Sequence, residues 1–547
     1  MVDRLRLPQR YRRILVELLR EHVPEAEVWA FGSRITGESH EGSDLDLVVR
    51  GPELKPLYDG FFELLEAIEQ SNIPILVQAH DWARLPASFQ QEIERDYMVV
   101  QDKGTKETMD GEWRELPFSE AVTMNPTVQL DRGTVYPYVE MAAVNADSRM
   151  ANSLEKREFK GSGSKFQTGD TLMARITPCL ENGKIARYQS QNDGQSAHGS
   201  TEFIVIRGRP GVTDNDFAYY LTRSEEVRNY AIGQMTGTSG RQRVPADSLE
   251  HLFLSIPPLV EQRQIAHILG TLDDKIELNH RMNETLEEMA RALFKSWFVD
   301  FDPVRAKAAL ASPPSEKSDW TKKRALAYLD KMDKNIVDIF PDRLVESELG
   351  EIPEAWEVGV LNDALELLSG GTPRTSEGSY WDGDIPWYTA KDAPSLSDVF
   401  VLETERNITQ LGIYNSAAKV LPIGTTIITA RGTVGTLACL GVPMAMNQTC
   451  YGIRGANGYP DLFTYLNVRT VVDELQQRTH GTVFDTITRQ TFKFIEKAMP
   501  PAKLANAFES TAKPVMRRIL NNLHESQTLA AKRDALLPRL MTGKSTV

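Results

Sequence analysis

Residues 257–298 read PPLVEQRQIAHILGTLDDKIELNHRMNETLEEMARALFKSWF and contain no proline after the opening pair. Apolar and small side chains recur there at alternating steps of four and three residues. They are Ile265, Leu269, Leu272, Ile276, Asn279, Asn283, Leu286, Ala290, Leu293 and Trp297. A seam with a mean spacing of about 3.5 residues is typical of a helix that packs along one partner helix. The stretch therefore predicts a long coiled-coil helix, about 54 Å in length at about 1.5 Å per residue.

The chain repeats itself around this helix. Three landmarks recur 243 residues later: a tryptophan, a Pro-Pro pair and a leucine of the helix. They are Trp113 and Trp356, Pro257 and Pro500, and Leu286 and Leu529. A period this long excludes a solenoid, whose repeats span about 20 to 50 residues. We therefore predict two tandem copies of one unit, each a globular segment followed by Pro-Pro and a long helix.

The second helix carries a less regular seam. Its members are Val515, Ile519, Asn522, Ser526, Leu529, Arg533, Leu536 and Leu540. Asn279 and Asn522 are equivalent under the 243-residue offset, and an asparagine buried in a helix pair costs stability but fixes register. Two matching asparagines predict that the helices pack on each other in an antiparallel pair. The neighbouring spacer residues are Ile276, Leu286, Ile519 and Leu529. The alternative is two independent amphipathic helices on separate cores.

Composition limits the class of protein. At 547 residues the chain is too long for one core and predicts roughly three to four domains. The net charge of −14 argues against a nonspecific coat on DNA, but not against a reader with local basic clusters. No apolar run approaches the roughly 20 residues that span a bilayer, no secretory signal is present, and the three cysteines lack metal-binding spacing. We expect a cytoplasmic protein that does not enter a membrane.

Four stretches of residues 111 to 547 carry a second line of information. They are GDTLMARITPCLENGKIA at 169–186, the stretch from 257 to 307, GGTPRTSEGSYWDGDIPWYTAKD at 370–392 and LAAKRDALLPRLMTG at 529–543. Together they resemble the specificity subunits of type I restriction–modification systems. The resemblance implies two target-recognition domains for double-stranded DNA, without a catalytic centre. It also implies two bound methyltransferase subunits, which carry S-adenosylmethionine, and through them motor-nuclease subunits. The sequence agrees, since it contains no Asn/Asp-Pro-Pro-aromatic methyltransferase motif.

Loops of the two recognition segments supply the candidate DNA-binding residues. In TGTSGRQRV (236–244), Arg241 and Arg243 have the side chain that makes bidentate contacts with guanine or simpler contacts with phosphate. In the second segment Lys391 and Arg431 are candidate cations, and Tyr388 either stacks on DNA or packs. For each of the five, the alternative is an ordinary surface charge or a buried aromatic ring. We expect each segment to read half of a bipartite site, with the helices setting the gap.

Residues 31–49, FGSRITGESHEGSDLDLVV, carry a separate motif. A helix and a strand, EVWAF, precede it, and a helix and a strand follow. This order resembles the small nucleotidyltransferases of the polymerase-β superfamily. Gly32 and Ser33 form a tight turn that suits a nucleotide phosphate. Asp44 and Asp46, two apart on a strand, point to one face, where carboxylates can share Mg²⁺ ions.

That family uses a third carboxylate on the next long strand, to bind metal and to activate the attacking hydroxyl. We predict this strand as IPILVQ, which places Gln78 at that position, and we expect Asp81 beyond the strand end on the wrong face. Because glutamine is neutral, it cannot act as a base. We therefore expect a degenerate site that keeps at most Mg²⁺ and nucleotide binding. The alternative is an active enzyme that transfers a nucleotide to protein or RNA and is targeted by the DNA-binding part.

These observations predict an α/β multidomain chain. A nucleotidyltransferase-like α/β domain is followed by two α+β target-recognition domains, which two long antiparallel coiled-coil helices separate. The predicted boundaries are 1–103 for the first domain, 108–256 and 349–499 for the recognition domains, 257–300 and 500–547 for the helices, and 301–348 for a connector.

Overall fold

The computed structural model describes most of the chain. The described residues are 7, 9–36, 43–51, 54–57, 60–71, 73–101, 113–152, 155–190, 195–238, 240–311, 320–394, 399–431, 434–478 and 487–543. The chain divides into two compact units. The first unit comprises Met1–Ala146, Met150–His267 and Leu540–Val547, and the second comprises Asp147–Arg149 and Ile268–Arg539.

The N-terminal segment is a four-stranded sheet with helices. Its elements are α1 (Gln9–His22), β1 (Glu27–Phe31), α2 (Ser33–Thr36), β2 (Leu45–Arg50), α3 (Phe61–Glu69), β3 (Val77–Asp81), α4 (Ala87–Ile93) and β4 (Tyr97–Gln101). The strand order is β3-β2-β1-β4, with β2 and β3 parallel and the other pairs antiparallel. Val28 and Ala30 enter one core cluster, and Trp29 and Phe31 enter another. Both faces of β1 are therefore covered, because successive side chains alternate across a strand.

The predicted helices and strands of this segment have counterparts in the structure, but Ser33, predicted in a turn, begins α2, and the prediction did not include α4 and β4. The bounds of β3 also differ. We predicted a strand over 73–78, but pairing with β2 begins only where Val77 lies opposite Leu45. Ile73 and Ile75 pack against the apolar core without joining the sheet. Their hydrophobicity therefore reflects burial rather than strand pairing.

The first repeat contains two sheets and a short strand pair. Its elements are β5 (Arg114–Pro117), α5 (Phe118–Ala121), β6 (Val122–Met124), β7 (Val135–Val139), β8 (Met150–Asn152), β9 (Glu155–Glu158), β10 (Ser164–Gln167), β11 (Thr171–Ala174), β12 (Ile185–Gln189), β13 (Ser196–Gly199), β14 (Phe203–Gly208), α6 (Asn215–Arg223), α7 (Glu225–Gly233) and β15 (Phe253–Ile256). The five-stranded sheet has the order β6-β14-β11-β12-β8, and the four-stranded sheet has the order β10-β13-β7-β9. β5 pairs with β15.

A long helix, a helical connector and the second repeat follow. Their elements are α8 (Leu259–Phe298), α9 (Asp302–Ala311), α10 (Lys322–Leu329), α11 (Lys334–Val337), β16 (Leu344–Ser347), β17 (Gly350–Pro353), β18 (Glu357–Val360), β19 (Leu365–Ser369), β20 (Trp381–Tyr388), β21 (Phe400–Val401), β22 (Asn407–Ile408), α12 (Gln410–Tyr414), β23 (Thr426–Thr429), β24 (Leu437–Leu440), β25 (Ala445–Met446), β26 (Cys450–Gly455), α13 (Asp461–Arg478), α14 (Arg489–Lys493), β27 (Glu496–Met499) and α15 (Ala502–Met541). Helix α9 follows α8 almost directly, within the predicted connector, and α10 matches the short helix that we predicted after Ser318.

The two repeats share one topology. The five-stranded sheet of the second repeat has the order β19-β26-β23-β24-β21, which matches the first repeat strand by strand. In both sheets the last strand is parallel to its neighbour and the other pairs are antiparallel. The closing pair β18–β27 lies 243 residues after β5–β15. Helices α8 and α15, each of 40 residues, begin and end at the same offset.

Within the second unit, α8 and α15 run antiparallel. Contacts near the start of α8 involve the end of α15, and contacts near its end involve the start. From one end to the other they are Asp273–Arg533, Asn279–Ser526, Asn283–Asn522 and Phe294–Phe508. The antiparallel pairing predicted from the matched asparagines is confirmed, and the alternative of two helices on separate cores is wrong.

The buried seam of α15 differs slightly from the predicted one. Ile519, Asn522, Ser526 and Arg533 are buried as expected. Met516 and Leu537 are buried in place of Val515 and Leu536, which are only half-buried. Leu286 and Leu529, equivalent positions of the two helices, are both half-buried. Met516, Ile519, Leu523, Ser526, Arg533, Leu537 and Leu540 are buried at steps that keep a mean spacing of about 3.5 residues. The period of the seam is therefore as predicted, and one of its two rows lies one residue further along the helix.

Among the described residues, no helix combines the length and the apolar composition that crossing a membrane requires.

Candidate functional sites

In the first repeat, Arg243 lies at the surface but is already paired. Its Nε and Nη2 atoms donate to the Glu202 carboxylate over 3.0 and 2.8 Å. Backbone bridges to Ile176 and Thr236 hold the segment in place. Arg241, two residues earlier, is exposed. Arg243 therefore has to share or leave Glu202 in order to contact DNA, whereas the side chain of Arg241 is accessible.

The structure contradicts the prediction that Tyr388 contacts DNA. This residue ends β20, is 0% exposed, and packs in a core cluster with Val401, Ile427 and Met446. Burial raises the pKa of its phenol. The hydroxyl makes no hydrogen bond among the described residues. Its ring is a core side chain, so the alternative of a buried aromatic is correct.

A cavity of about 340 Å³ opens beside the end of β20. Its lining residues are Trp387, Thr389, Ala390, Lys391, Asp392, Glu405, Arg406 and Asn447. The Asp392 carboxylate joins two walls, because it accepts hydrogen bonds of 2.7 Å from the backbone N–H groups of Thr389 and Glu405. The Lys391 side chain is 80% exposed and lies 3.6 Å from Glu405. Lys391 is therefore placed at a preformed cavity, while Arg431 is exposed in another loop.

Arg406 lines the same cavity and was not among the residues predicted from sequence. Its guanidinium carbon lies 3.6 Å from the ring centroid of Trp381, which meets Trp387 edge-on at 5.1 Å. The Trp387 indole N–H donates to the Gly371 carbonyl over 3.0 Å. The two tryptophans were visible in YWDGDIPWY, but the arginine that they support lies in a separate stretch. No local pattern connects the two.

In the N-terminal segment, Asp46 lies on β2 directly opposite Phe31 of β1. Gly32 follows Phe31 with φ +82°, and a Cβ atom there would lie 2.8 Å from the Asp46 carboxylate. Glycine is therefore needed both for the backbone conformation and for space. Burial raises the pKa of Asp46, the imidazole of His80 lowers it, and the neighbouring Asp44 raises it.

Gln78, which we predicted at the position of the family's third carboxylate, lies on β3. In the parallel pairing of β2 with β3, Gln78 lies opposite Asp46, so the two side chains share a face. Asp81 is the last residue of β3, not beyond it as we predicted. Asp81 lies three residues after Gln78, so its side chain is on the opposite face of β3. There it accepts hydrogen bonds from the backbone N–H groups of Leu57 and Ala83. Asp81 therefore has a structural role and does not replace the missing carboxylate.

Arg34 is a further residue that the sequence analysis missed. It is 5% exposed, and its Nε and Nη2 atoms donate to the Ser43 carbonyl over 2.9 and 2.6 Å. These bonds tie α2, which begins at Ser33, to the residue before Asp44. They fix the entry of the chain into β2. Nothing local in the sequence distinguishes this arginine from a surface charge.

No group of three or more His, Cys, Asp or Glu side chains is arranged to hold a metal ion in the described part of the chain. Asp44, predicted on the same strand as Asp46, directly precedes β2, and it is close enough to raise the pKa of Asp46. Two carboxylates and further oxygen ligands suit a hard divalent ion. The imidazole of His80, two residues after Gln78 on β3, also acts electrostatically on Asp46.

Comparison with known proteins assigns two families to the chain. The family described as "Type I restriction modification DNA specificity domain" matches residues 121–288 and 353–505. The family described as "Nucleotidyltransferase domain" matches residues 12–103.

Curated relatives fall into the same two groups. The type I restriction enzyme HindI specificity subunit of Haemophilus influenzae is 30% identical over 71% of this chain and 89% of its own length. The MjaIX specificity subunit of Methanocaldococcus jannaschii is 26% identical over 63% of this chain and 72% of its own. A probable protein adenylyltransferase, MntA of H. influenzae, is 38% identical over 16% of this chain and 78% of its own.

Solved structures with a similar chain include two type I subunits. The HsdS subunit from Thermoanaerobacter tengcongensis is 18% identical, with a TM-score of 0.29 over 80% of this chain and 98% of its own. The S subunit from M. genitalium is 12% identical, with a TM-score of 0.44 over 79% of this chain and 96% of its own.

Proposed function

The chain belongs to the type I restriction–modification DNA specificity family, and we propose that each of its repeats reads one half of a bipartite site in double-stranded DNA. Its N-terminal segment belongs to the nucleotidyltransferase domain family. A specificity subunit supplies sequence recognition to partner subunits and needs no catalytic centre of its own. Its DNA-reading role is consistent with the predicted cytoplasmic location.

The observation that carries this proposal is the duplication. Two sheets of identical strand order present different side chains at equivalent positions. In the smaller sheets, β7 and β20 correspond, because each pairs parallel with one neighbour and antiparallel with the other. The residue that follows is Glu140 after β7 and Thr389 after β20. One scaffold with two sets of loop residues suits the reading of two different half-sites.

The helices support the proposed gap between the half-sites. Because α8 and α15 have the same length and an antiparallel arrangement, they form a rod with a local two-fold relation. We propose that this rod sets the spacing and presents two equivalent surfaces to two methyltransferase subunits, on which S-adenosylmethionine resides. Motor-nuclease subunits join through them. A two-fold arrangement of partners follows naturally from a two-fold binding surface.

Sequencing of methylated DNA tests the proposal directly. Cells that carry the gene with its methyltransferase partner should show a bipartite methylated motif that disappears on deletion of this gene alone. The same purified complex should bind that motif more tightly than a scrambled duplex at fixed salt concentration. Unchanged methylation after deletion, or equal affinity for both duplexes, contradicts sequence readout and favours a scaffold.

For the N-terminal segment we propose binding of Mg²⁺ and a nucleotide without transfer. Asp44 and Asp46 would hold the ion, and Gly32 and Ser33 would face the phosphates. A bound ion would supply charge neutralisation at the phosphates. Transfer would additionally need a base to take the proton of the attacking hydroxyl. The neutral Gln78 cannot take that proton.

Incubation of the full chain with labelled nucleoside triphosphates and Mg²⁺ separates this proposal from the active-transferase alternative. We expect retention of label in a filter-binding assay, and no label on protein or RNA after denaturation. The Asp46→Asn variant should lose the retention. Covalent transfer of label that depends on Asp44 and Asp46 would instead establish an enzyme.

A further inference from the structure

Arg406 is held in place without using its hydrogen-bond donors. The guanidinium lies over the Trp381 ring at 3.6 Å and is 6.0 Å from the Trp387 ring. Among the described residues it forms no hydrogen bond or ion pair through its side chain. The residue is nevertheless exposed at the mouth of the cavity. The guanidinium, which carries five N–H donors, therefore lacks a hydrogen-bond partner among the described residues, while an aromatic face restrains its orientation.

The support beneath Arg406 is rigid. Trp381 and Trp387 are each 6% exposed, and their indole N–H groups donate to the Arg374 and Gly371 carbonyls. The Arg406 carbonyl accepts a hydrogen bond from the backbone N–H of Trp387. Restraint at both the ring and the backbone lowers the conformational entropy that Arg406 loses on binding a ligand.

The first repeat contains a comparable stack, and its arginine is neutralised. Arg157 on β9 lies 3.9 Å over the Tyr138 ring on β7. Its guanidinium pairs with Glu155 at 2.5 Å and with Glu140 at 3.6 Å. Glu140 directly follows β7, whereas Thr389 directly follows the equivalent strand β20. The stacked arginine of the first repeat therefore has two carboxylate partners, whereas the guanidinium of Arg406 has none among the described residues.

We propose that Arg406 determines specificity in the second recognition domain by donating two hydrogen bonds to O6 and N7 of a guanine in the half-site. The inference rests on the proposed DNA-reading function and names one residue that performs it. A planar guanidinium with unused donors matches the two major-groove acceptors of guanine. The exposed Lys391 beside it forms only a long ion pair with Glu405, of the kind that contributes little in water, so its ammonium can turn to a phosphate.

The test compares Arg406→Met with Arg406→Lys in the full chain with its methyltransferase partner. Methionine keeps the packing on Trp381 but removes every donor, and lysine keeps the charge but lacks the planar fork. Arg157→Met, in the first repeat, is the matched control. The readouts are the methylated motif in cells and binding to duplexes that carry each base pair in turn at every half-site position.

We expect Arg406→Met to lose about 5- to 150-fold discrimination for guanine at one position of the second half-site, corresponding to one bidentate contact. Lysine should not restore it, and the first half-site should be read normally, which shows that the variant is folded. The control should leave both half-sites unchanged. A uniform loss over all duplexes with a smaller salt dependence indicates a phosphate contact and overturns the proposal, as does an unchanged second half-site. The absence of any bipartite motif with the unaltered chain overturns the proposed function and this inference together.

Discussion

The side-chain amide of Asn279 donates to the backbone carbonyl of Asn522 over 3.4 Å, and these two asparagines occupy the same position in the two repeats. Equivalent residues touch each other only where a local two-fold axis passes between them. The flanking bonds obey the same relation, since Asn279 contacts Ser526 while Asn522 contacts Asn283. The polar centre of the spacer is therefore also its centre of symmetry.

The first prediction uses this centre to lengthen the spacer. Duplication of residues 277–283 together with 520–526 adds one heptad to each helix at facing positions and keeps the seam in register. The addition lengthens the rod by about 10.5 Å at about 1.5 Å per residue, or up to about three base pairs at about 3.4 Å each. Methylation mapping should show a longer gap with both half-sites unchanged.

The control duplicates residues 277–283 alone. This change moves Asn279 away from Asn522 and places polar groups opposite apolar ones, so we expect weak assembly and little methylation. A gap that keeps its length after the double duplication would show that something other than the helices sets it.

The helices and their partnership could be predicted from the sequence, because their information is local and repeated. A seam of apolar residues specifies a helix, and a repeat offset marks equivalent positions such as Asn279 and Asn522. The register of Gln78 opposite Asp46 was also accessible, because the chemistry of a known motif fixed which strand residue to compare.

The environments of the candidate DNA-binding residues could not be predicted, because exposure and pairing depend on contacts between distant stretches. Tyr388 looks like a stacking residue in sequence, yet the sheet around it buries the ring. Arg406 looks like one of many surface arginines, and only the fold places it over Trp381. Arg243 acquires its Glu202 partner in the same way, across 41 residues of sequence.

The second prediction concerns a buried ion pair that breaks the symmetry. Asp273 and Arg533, 4% and 5% exposed, are 2.7 Å apart, whereas the symmetry-related positions hold the apolar pair Ala290 and Met516. Arg533→Ala alone removes one partner of a buried ion pair, which costs about 3–5 kcal/mol for pairs of this kind. The double variant Asp273→Met with Arg533→Ala copies the apolar pair, because Met516 corresponds to position 273 and Ala290 to position 533. We expect this double variant to unfold close to the original temperature.

The original chain and the double variant should unfold at similar midpoint temperatures, and the single variant should unfold at a clearly lower one. Arg518→Met, at an exposed position of α15, is the control for loss of an arginine. Equal midpoints for the single and double variants would show that Asp273 is not left with an uncompensated charge.

The third prediction restores the missing carboxylate. Gln78→Asp places a third acidic group on the face of Asp44 and Asp46, which should increase the affinity for divalent ions. Because an ion that binds only the folded state raises its stability, Mn²⁺ should raise the unfolding temperature of the N-terminal segment more in this variant than in the original chain. Gln91→Asp, on the exposed side of α4, adds the same charge elsewhere. An equal response of both variants to Mn²⁺ would point to nonspecific binding.

The fourth prediction follows from the raised pKa of Asp46, which burial causes first and to which Asp44 contributes. A carboxyl group with a higher pKa in the folded than in the unfolded chain stabilises the fold fully below the ordinary value of 3.8. This stabilisation is lost as pH rises through the folded pKa. The side chain introduced by Asp46→Asn does not titrate. The stability of this variant relative to the original chain should therefore increase with rising pH and then level off. Hydrogen exchange of peptides from β1 and β2, corrected for the intrinsic rate at each pH, measures this difference locally.

The matched variant for this effect is Asp44→Asn. Without the neighbouring negative charge the pKa of Asp46 should fall toward its ordinary value, since Asp44 helps to raise it. In chains that carry Asp44→Asn, the stabilities with and without Asp46→Asn should therefore change relative to each other over a narrower pH range. The stability of Asp46→Asn relative to the original chain could instead decrease as pH rises. That result would mean that the folded chain stabilises the Asp46 anion through contacts stronger than the cost of its burial.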